Sequence, residues 1–198
     1  MISTGISAMR EGWLIFLIYA MNILTYFSCS KDASNNFVLQ DIQGRPKAVS
    51  LANEGGLTVV AFMSPECPLC AYYAGPLNQM YADFADRGVE FFAVFSDTLY
   101  TAGEIDAFLS EYGVKWQVLL DPFNQLRNEI QATVTPQVFV FDSAGLLVYS
   151  GAIDDWAVTV RKHRQVVRHR YLRYAIEAVL EGRAVDTAST DPVGCLMQ

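Results

Sequence analysis

Leu57-Thr-Val-Val-Ala-Phe-Met63, Ser64-Pro65-Glu66 and Cys67-Pro68-Leu69-Cys70 follow one another without a break, and their order decides the fold. The first run is apolar or β-branched and is bounded by Gly55-Gly56 and Ser64-Pro65. It is too short for a buried helix and reads as a parallel strand covered on both faces. Beyond Cys67, residues Tyr73, Leu77, Met80, Tyr81 and Phe84 share one helical face, and Gly88 supplies the stop. A Cys-x-x-Cys pair that ends a buried strand and opens a helix is a specific signal. Helix N-terminal amides and the macrodipole favour an anion there, hence a thiolate. Cys67, at the exposed start of the helix, is the expected nucleophile. Cys70, about one turn further in, is expected to attack a Cys67 mixed disulfide and release the reduced partner. Pro68 suits an early helical position, where its missing N–H costs nothing. Glu66 opposes the thiolate by like-charge repulsion and neither intervening residue is basic, so the thiolate is expected to be weaker than in strongly oxidising Cys-x-x-Cys pairs, where a histidine often lies between the cysteines.

Working outward, Phe37–Ile42, a turn at Gln43-Gly44 and Arg45–Leu51 read as an N-terminal β-hairpin. Val89–Phe95 is a second buried strand. Thr101 is placed to cap a helix through Tyr112, with Glu104 as its capping-box partner and Gly113 at the end. A short strand at Val118–Leu120 and a short helix at 124–131 follow. Gln137–Phe141 and Leu146–Tyr149 form a hairpin around 142–145. Leu172, Ile176, Val179 and Leu180 repeat at helical spacing up to Gly182, so the last helix packs on the sheet. The pattern predicts an α/β fold: a central mixed sheet flanked by helices, with the N-terminal hairpin as an extension. Thr135-Pro136 opens the strand at Gln137. A proline there is expected to be cis and to face the cysteines, and the residue before it offers backbone groups to an extended substrate chain.

The residues Val59–Cys70, Leu119-Leu-Asp-Pro122, Ala132-Thr-Val-Thr-Pro136, Gly151-Ala-Ile-Asp-Asp155 and Val193-Gly194-Cys195-Leu196 carry a family resemblance. Over residues 37–198 the chain resembles the redoxin branch of the thioredoxin superfamily. It is particularly similar to bacterial extracytoplasmic redoxins with a Gly-Cys-Pro-Ile-like tail, in which the second cysteine of the pair is often absent. This chain departs by having Cys70, and by Leu196 where that tail usually carries proline. The resemblance implies a thioredoxin-like fold and thiol-disulfide oxidoreductase activity, without cofactor or metal. The implied partners are protein thiols or disulfides and an upstream electron donor or acceptor. Related membrane-tethered members reduce apocytochrome or copper-site cysteines. Two alternatives stay open. Peroxiredoxins want Pro-x-x-x-Thr/Ser-x-x-Cys; Ser64 fits the hydroxyl position, but Val60 stands at the proline position. A Cys-x-x-Cys is also half of a zinc or copper site, to which Cys195 would add a third ligand.

The remaining segments bear on location. Arg10, the apolar run Trp13–Leu24 and the small residues up to Ser28 form the pattern of an export signal. It is shorter than the about 20 residues of a spanning helix. A small residue before Cys29 resembles a bacterial lipoprotein signal, in which that cysteine is lipidated, although Tyr26 stands where an aliphatic residue is usual. A cleaved lipoprotein signal, an uncleaved anchor and plain secretion all place the body outside the cytoplasm, on the periplasmic side of a bacterial membrane, where disulfides persist. The expected organisation is therefore signal or anchor 1–28, tether 29–36, domain 37–185 and tail 186–198.

The net charge of −7 argues against a nucleic-acid binder. Residues 161–173 nonetheless hold Arg161, Lys162, Arg164, Arg168, Arg170 and Arg173. That run reads as a solvated face, or as a patch for an anionic surface. His163 and His169 lie within it, far in sequence from the cysteines. Asp154, Asp155 and Trp156 belong either to a rim of the site or to an exposed turn. The tail from Ala184 reads as loose. Cys195 within it is a candidate third redox cysteine, forming an alternative disulfide with Cys67 or Cys70 or regulating access to them, or else a spare thiol.

Overall fold

The computed structural model describes residues 35–96 and 99–197. The expected signal or anchor, with Cys29, lies outside the described residues. Seven strands form one sheet: β1 (Asn36–Gln40), β2 (Pro46–Ser50), β3 (Leu57–Phe62), β4 (Val89–Phe95), β5 (Gln117–Leu120), β7 (Gln137–Phe141) and β8 (Leu147–Gly151). Two-residue β6 (Val134–Thr135) precedes β7. The helices are α1 (Pro68–Phe84), α2 (Ala102–Glu111), α3 (Gln125–Ile130) and α4 (Tyr171–Leu180). Sheet order is β2-β1-β5-β4-β3-β7-β8. β3 runs parallel to β4 and β4 to β5; β1, β2, β7 and β8 join antiparallel. This is the expected thioredoxin-like α/β fold, with a mixed sheet and an N-terminal hairpin.

Every residue of β3 is buried, because each face meets its own core. Val59 and Ala61 join Leu77, Phe108 and Ile176 of α1, α2 and α4 on one side. Val60 and Phe62 join Phe37, Leu39 and Leu126 on the other. Two apolar layers explain why the sequence shows a continuous apolar run instead of alternation. The α1 core face carries Tyr73, Leu77, Met80 and Phe84 as the spacing predicts. A short 3-10 turn (Ala85–Arg87) then ends at Gly88, whose φ of 83° is the left-handed value that glycine accepts without strain. Thr101 and Glu104 make the predicted capping box at α2.

Three segments differ from the sequence reading. The basic run is exposed, but its start belongs to a small hairpin of β9 (Ala157–Thr159) and β10 (Lys162–His163). This hairpin leaves Val158 and Val160 open to solvent. The tail is not loose. The Ser150 N–H donates to the Ala188 carbonyl (3.0 Å) and the Thr190 N–H to the Ser150 carbonyl (3.0 Å). Further on, β11 (Cys195–Leu196) pairs antiparallel with β6. A segment of Asp, Ser, Thr, Pro and Gly has no hydrophobic period, so its order comes from backbone edges distant in sequence. Finally, β1 begins at Asn36, within the segment read as tether. Among the described residues no helix is long and apolar enough to cross a membrane.

Candidate redox site

β3 ends at Phe62, and the chain turns through Ser64-Pro65-Glu66 to place Cys67 at the N-cap of α1, with Pro68 in the first turn. One helical turn later Cys70 is wholly buried, and its sulfur accepts the Ser64 backbone N–H at 3.4 Å. The Thr135-Pro136 peptide is cis, as expected. It brings the Thr135 carbonyl oxygen to 3.0 Å from Cys67 Sγ, a contact in which the thiol donates. From the other direction β11 brings Cys195 Sγ to 2.6 Å from Cys67 Sγ. The fold therefore assembles Cys67, Cys70, Thr135, Pro136 and Cys195 into one site.

Cys67 is not at an exposed helix start: only 2% of it is accessible, because β11 lies over it. Nor is its thiol a weak acid. Cys67 is pulled down from an ordinary thiol value to about 5. The Cys70 thiol, hydrogen-bonding to the Cys67 sulfur, is the leading cause; burial opposes it, and the Cys195 thiol adds a second hydrogen bond. Glu66 is not among these causes. That carboxylate is exposed and accepts the Tyr100 hydroxyl at 3.3 Å. Burial, then donation to and repulsion by Cys67, push Cys70 well above the ordinary range. The same causes lift Cys195 to about 12. When Cys67 ionises, its two neighbouring thiols, whose shifts run the other way, stay protonated beside it.

A cavity of about 200 Å³ opens beside Cys67, walled by Ser64, Glu66, Ser96, Tyr100, Leu196 and Met197. Ser64 and Glu66 are sequence neighbours of Cys67; folding adds Ser96, Tyr100, Leu196 and Met197. Gly194, legible in the sequence only as part of the tail motif, has a steric role here. A Cβ at that position would lie 2.5 Å from the Thr135 carbonyl oxygen, so only glycine lets β11 approach β6 this closely. The glycine immediately before Cys195 was the available signal.

Asp154 shares a cleft with Pro136. It accepts the Tyr73 hydroxyl at 2.6 Å, and Val193 lines the same cleft. Trp156 stacks between Tyr72 (3.5 Å) and His163 (4.5 Å), while His169 stacks on Tyr171. Both histidines thus belong to aromatic surface stacks. Among the described residues no group of three or more His, Cys, Asp or Glu is arranged to hold a metal.

A mixed sheet with a cysteine pair at a helix start, facing a cis-proline strand, defines the thioredoxin-like class. Within that class the chain belongs to the AhpC/TSA family, whose model matches residues 31–150. It is 28% identical to the thiol-disulfide oxidoreductase ResA of Bacillus subtilis over 70% of this chain and 80% of that protein. The match to ResA of Bacillus anthracis, at 27% identity, covers 57% of this chain and 64% of the relative's length. Among solved structures, a Geobacillus kaustophilus protein superposes with a TM-score of 0.74 at 25% identity, over 85% of this chain and 90% of that one. A Sinorhizobium meliloti protein gives 0.72 at 28% identity, over 83% and 91%.

Proposed function

We propose that the protein is a thiol-disulfide oxidoreductase that exchanges electrons with protein cysteines outside the cytoplasm, using Cys67 as nucleophile and Cys70 as resolving thiol. The observation that carries this reading is the asymmetry of the pair. Cys67 stands at the start of α1 beside the Thr135 carbonyl with its pKa lowered to about 5, while Cys70, one turn further in, is wholly buried with its pKa raised. A thiolate of that kind attacks one sulfur of a partner disulfide and expels the other as thiolate. Cys70 then gives up its proton and attacks Cys67 Sγ. The partner leaves fully reduced, and a Cys67–Cys70 disulfide remains for an external dithiol to reduce. The backbone of Thr135, beside Pro136, is the edge along which an extended partner chain pairs in this scheme. The family membership and the ResA relatives support the same chemistry. Residues 1–28 as export signal or anchor, with Cys29 as the lipid site, complete the reading by putting the dithiol where disulfides persist.

The test is turnover of a model protein disulfide with a dithiol as electron source. Cys67→Ser is expected to abolish it, and Cys70→Ser combined with Cys195→Ser to halt it at the mixed disulfide. Turnover that survives Cys67→Ser overturns the proposal. Stoichiometric Cu(I) or Zn(II) binding without turnover would replace it with a metal-binding role, and Cys67-dependent peroxide consumption with a peroxidase.

A further inference from the structure

We infer that the C-terminal tail is a tethered substrate strand, whose Cys195 closes a reversible disulfide with Cys67 in competition with the Cys67–Cys70 disulfide. The inference rests on Cys67 being the exchanging thiol, and four observations carry it. First, β11 occupies the β6 edge in antiparallel register, Cys195 opposite Thr135 and Leu196 opposite Val134, as an added strand of a bound chain would. Second, the strand is fastened beyond the cysteine. The Met197 N–H donates to the Thr133 carbonyl (3.1 Å), and Arg127 Nη2 to the Met197 carbonyl (3.0 Å). Third, it is fastened before the cysteine, where Thr190 Oγ1 accepts the Ala152 N–H (2.9 Å) and contacts the Tyr149 hydroxyl (2.7 Å). Fourth, the two sulfurs stand 2.6 Å apart, with nothing between them.

The exchange balances without any further reagent. Starting from the Cys67–Cys70 disulfide, the Cys195 thiolate attacks Cys67 Sγ. The bond to Cys70 breaks, the bond to Cys195 forms, and Cys70 leaves as a thiolate that takes the proton Cys195 gave up. No electrons are gained or lost, so the two disulfides are isomers. Starting from the reduced chain, an external disulfide supplies the oxidation: Cys67 forms the mixed disulfide, and either Cys70 or Cys195 resolves it. Strand alternation turns Cys195 inward and leaves Leu196 83% exposed. The edge therefore places little demand on the residue after the cysteine. It makes a strict demand on the residue before it, where the Thr135 carbonyl leaves no room for a side chain. The partner class that fits is an extended polypeptide with glycine immediately before its cysteine.

The experiment oxidises the full chain, wild type and Cys70→Ser, with glutathione disulfide, and maps every cysteine by alkylation and mass spectrometry. In Cys70→Ser the expected product is a monomer with Cys67 linked to Cys195. In the wild type both isomers are expected. Adding Gly194→Val to Cys70→Ser should lower the Cys67–Cys195 equilibrium constant by about tenfold or more. Separate glutathione adducts on Cys67 and Cys195 in Cys70→Ser overturn the inference, and so does a Gly194→Val change without effect. If the doubly substituted chain fails to fold, the mapping of Cys70→Ser decides alone. Turnover of protein disulfides without the Cys67–Cys195 linkage overturns this inference and leaves the proposed function standing. The linkage in a chain that turns over no protein disulfide does the reverse.

Discussion

Cys70 and Cys67 are both hidden from solvent, by different means. Cys70 lies under α1 against the sheet, within the layer that holds Leu77, Val138 and Tyr149. Cys67 sits at the edge of that layer, and its cover is the two-residue strand β11 with one residue on either side. The first kind of burial is part of the core and lasts as long as the fold. The second depends on a few backbone hydrogen bonds, so it opens without global unfolding. The comparison separates a permanent reserve of one protonated thiol from a thiolate whose exposure is conditional.

The largest expected effect is on the floor. Leu77→Ala removes a fully buried side chain and should cost about 3 kcal/mol in denaturant unfolding. Cys70 alkylation should rise in step with the unfolded population; a rise with stability unchanged would break the distinction. Next is the cover. Removing residues 194–198 should speed alkylation of reduced Cys67 by about thirtyfold, equivalent to ~2 kcal/mol of strand hydrogen bonding, and leave Cys70 unmoved. Equal acceleration of both would show a common cover.

The pH dependence sharpens the same contrast. With its pKa lowered to about 5, Cys67 stays a thiolate above that value, so its alkylation rate should be flat through neutrality and fall only as pH drops through about 5. An ordinary thiol, at about 8.5, would gain roughly tenfold per unit over the neutral range. Because the Cys195 thiol helps lower Cys67, Cys195→Ser should move the midpoint upward; a downward shift would remove Cys195 from the site's electrostatics. Smallest is a change beneath the floor. The Thr58 hydroxyl is buried and has no hydrogen-bond partner among the described residues. Thr58→Val should raise stability by up to about 1 kcal/mol, read from the denaturation midpoint, with Cys67 labelling unchanged.

The parts legible in the sequence were those with a period or a local chemical reason. The two buried strands, the α1 face, the Thr101–Glu104 box and the Cys67–Cys70 spacing each announce themselves within a few residues. Thr135-Pro136 could be placed because a proline opening a strand has few uses. Cys195 could be named as a third cysteine regulating access, but the strand that lays it over Cys67 could not be read. β6 and β11 are two residues each, too short for any alternation, and paired residues such as Thr135 and Cys195 lie far apart in sequence. The size of the acid shift on Cys67 was illegible for the same reason. Glu66 is a sequence neighbour whose carboxylate turns to Tyr100, while the groups that set the charge are sulfurs brought in by the fold.

The strand over Cys67 is carried by the same chain, and this has a consequence for how the site is occupied. Its local concentration is fixed by the length of the tail and the two places where the tail is fastened, not by how much protein is present. Dilution leaves the site as closed as before, and crowding closes it no further. A partner gains entry only through its own concentration and the match of its strand to the edge. The protein therefore sets a threshold that each partner must pass by itself, the same in a dilute compartment as in a crowded one.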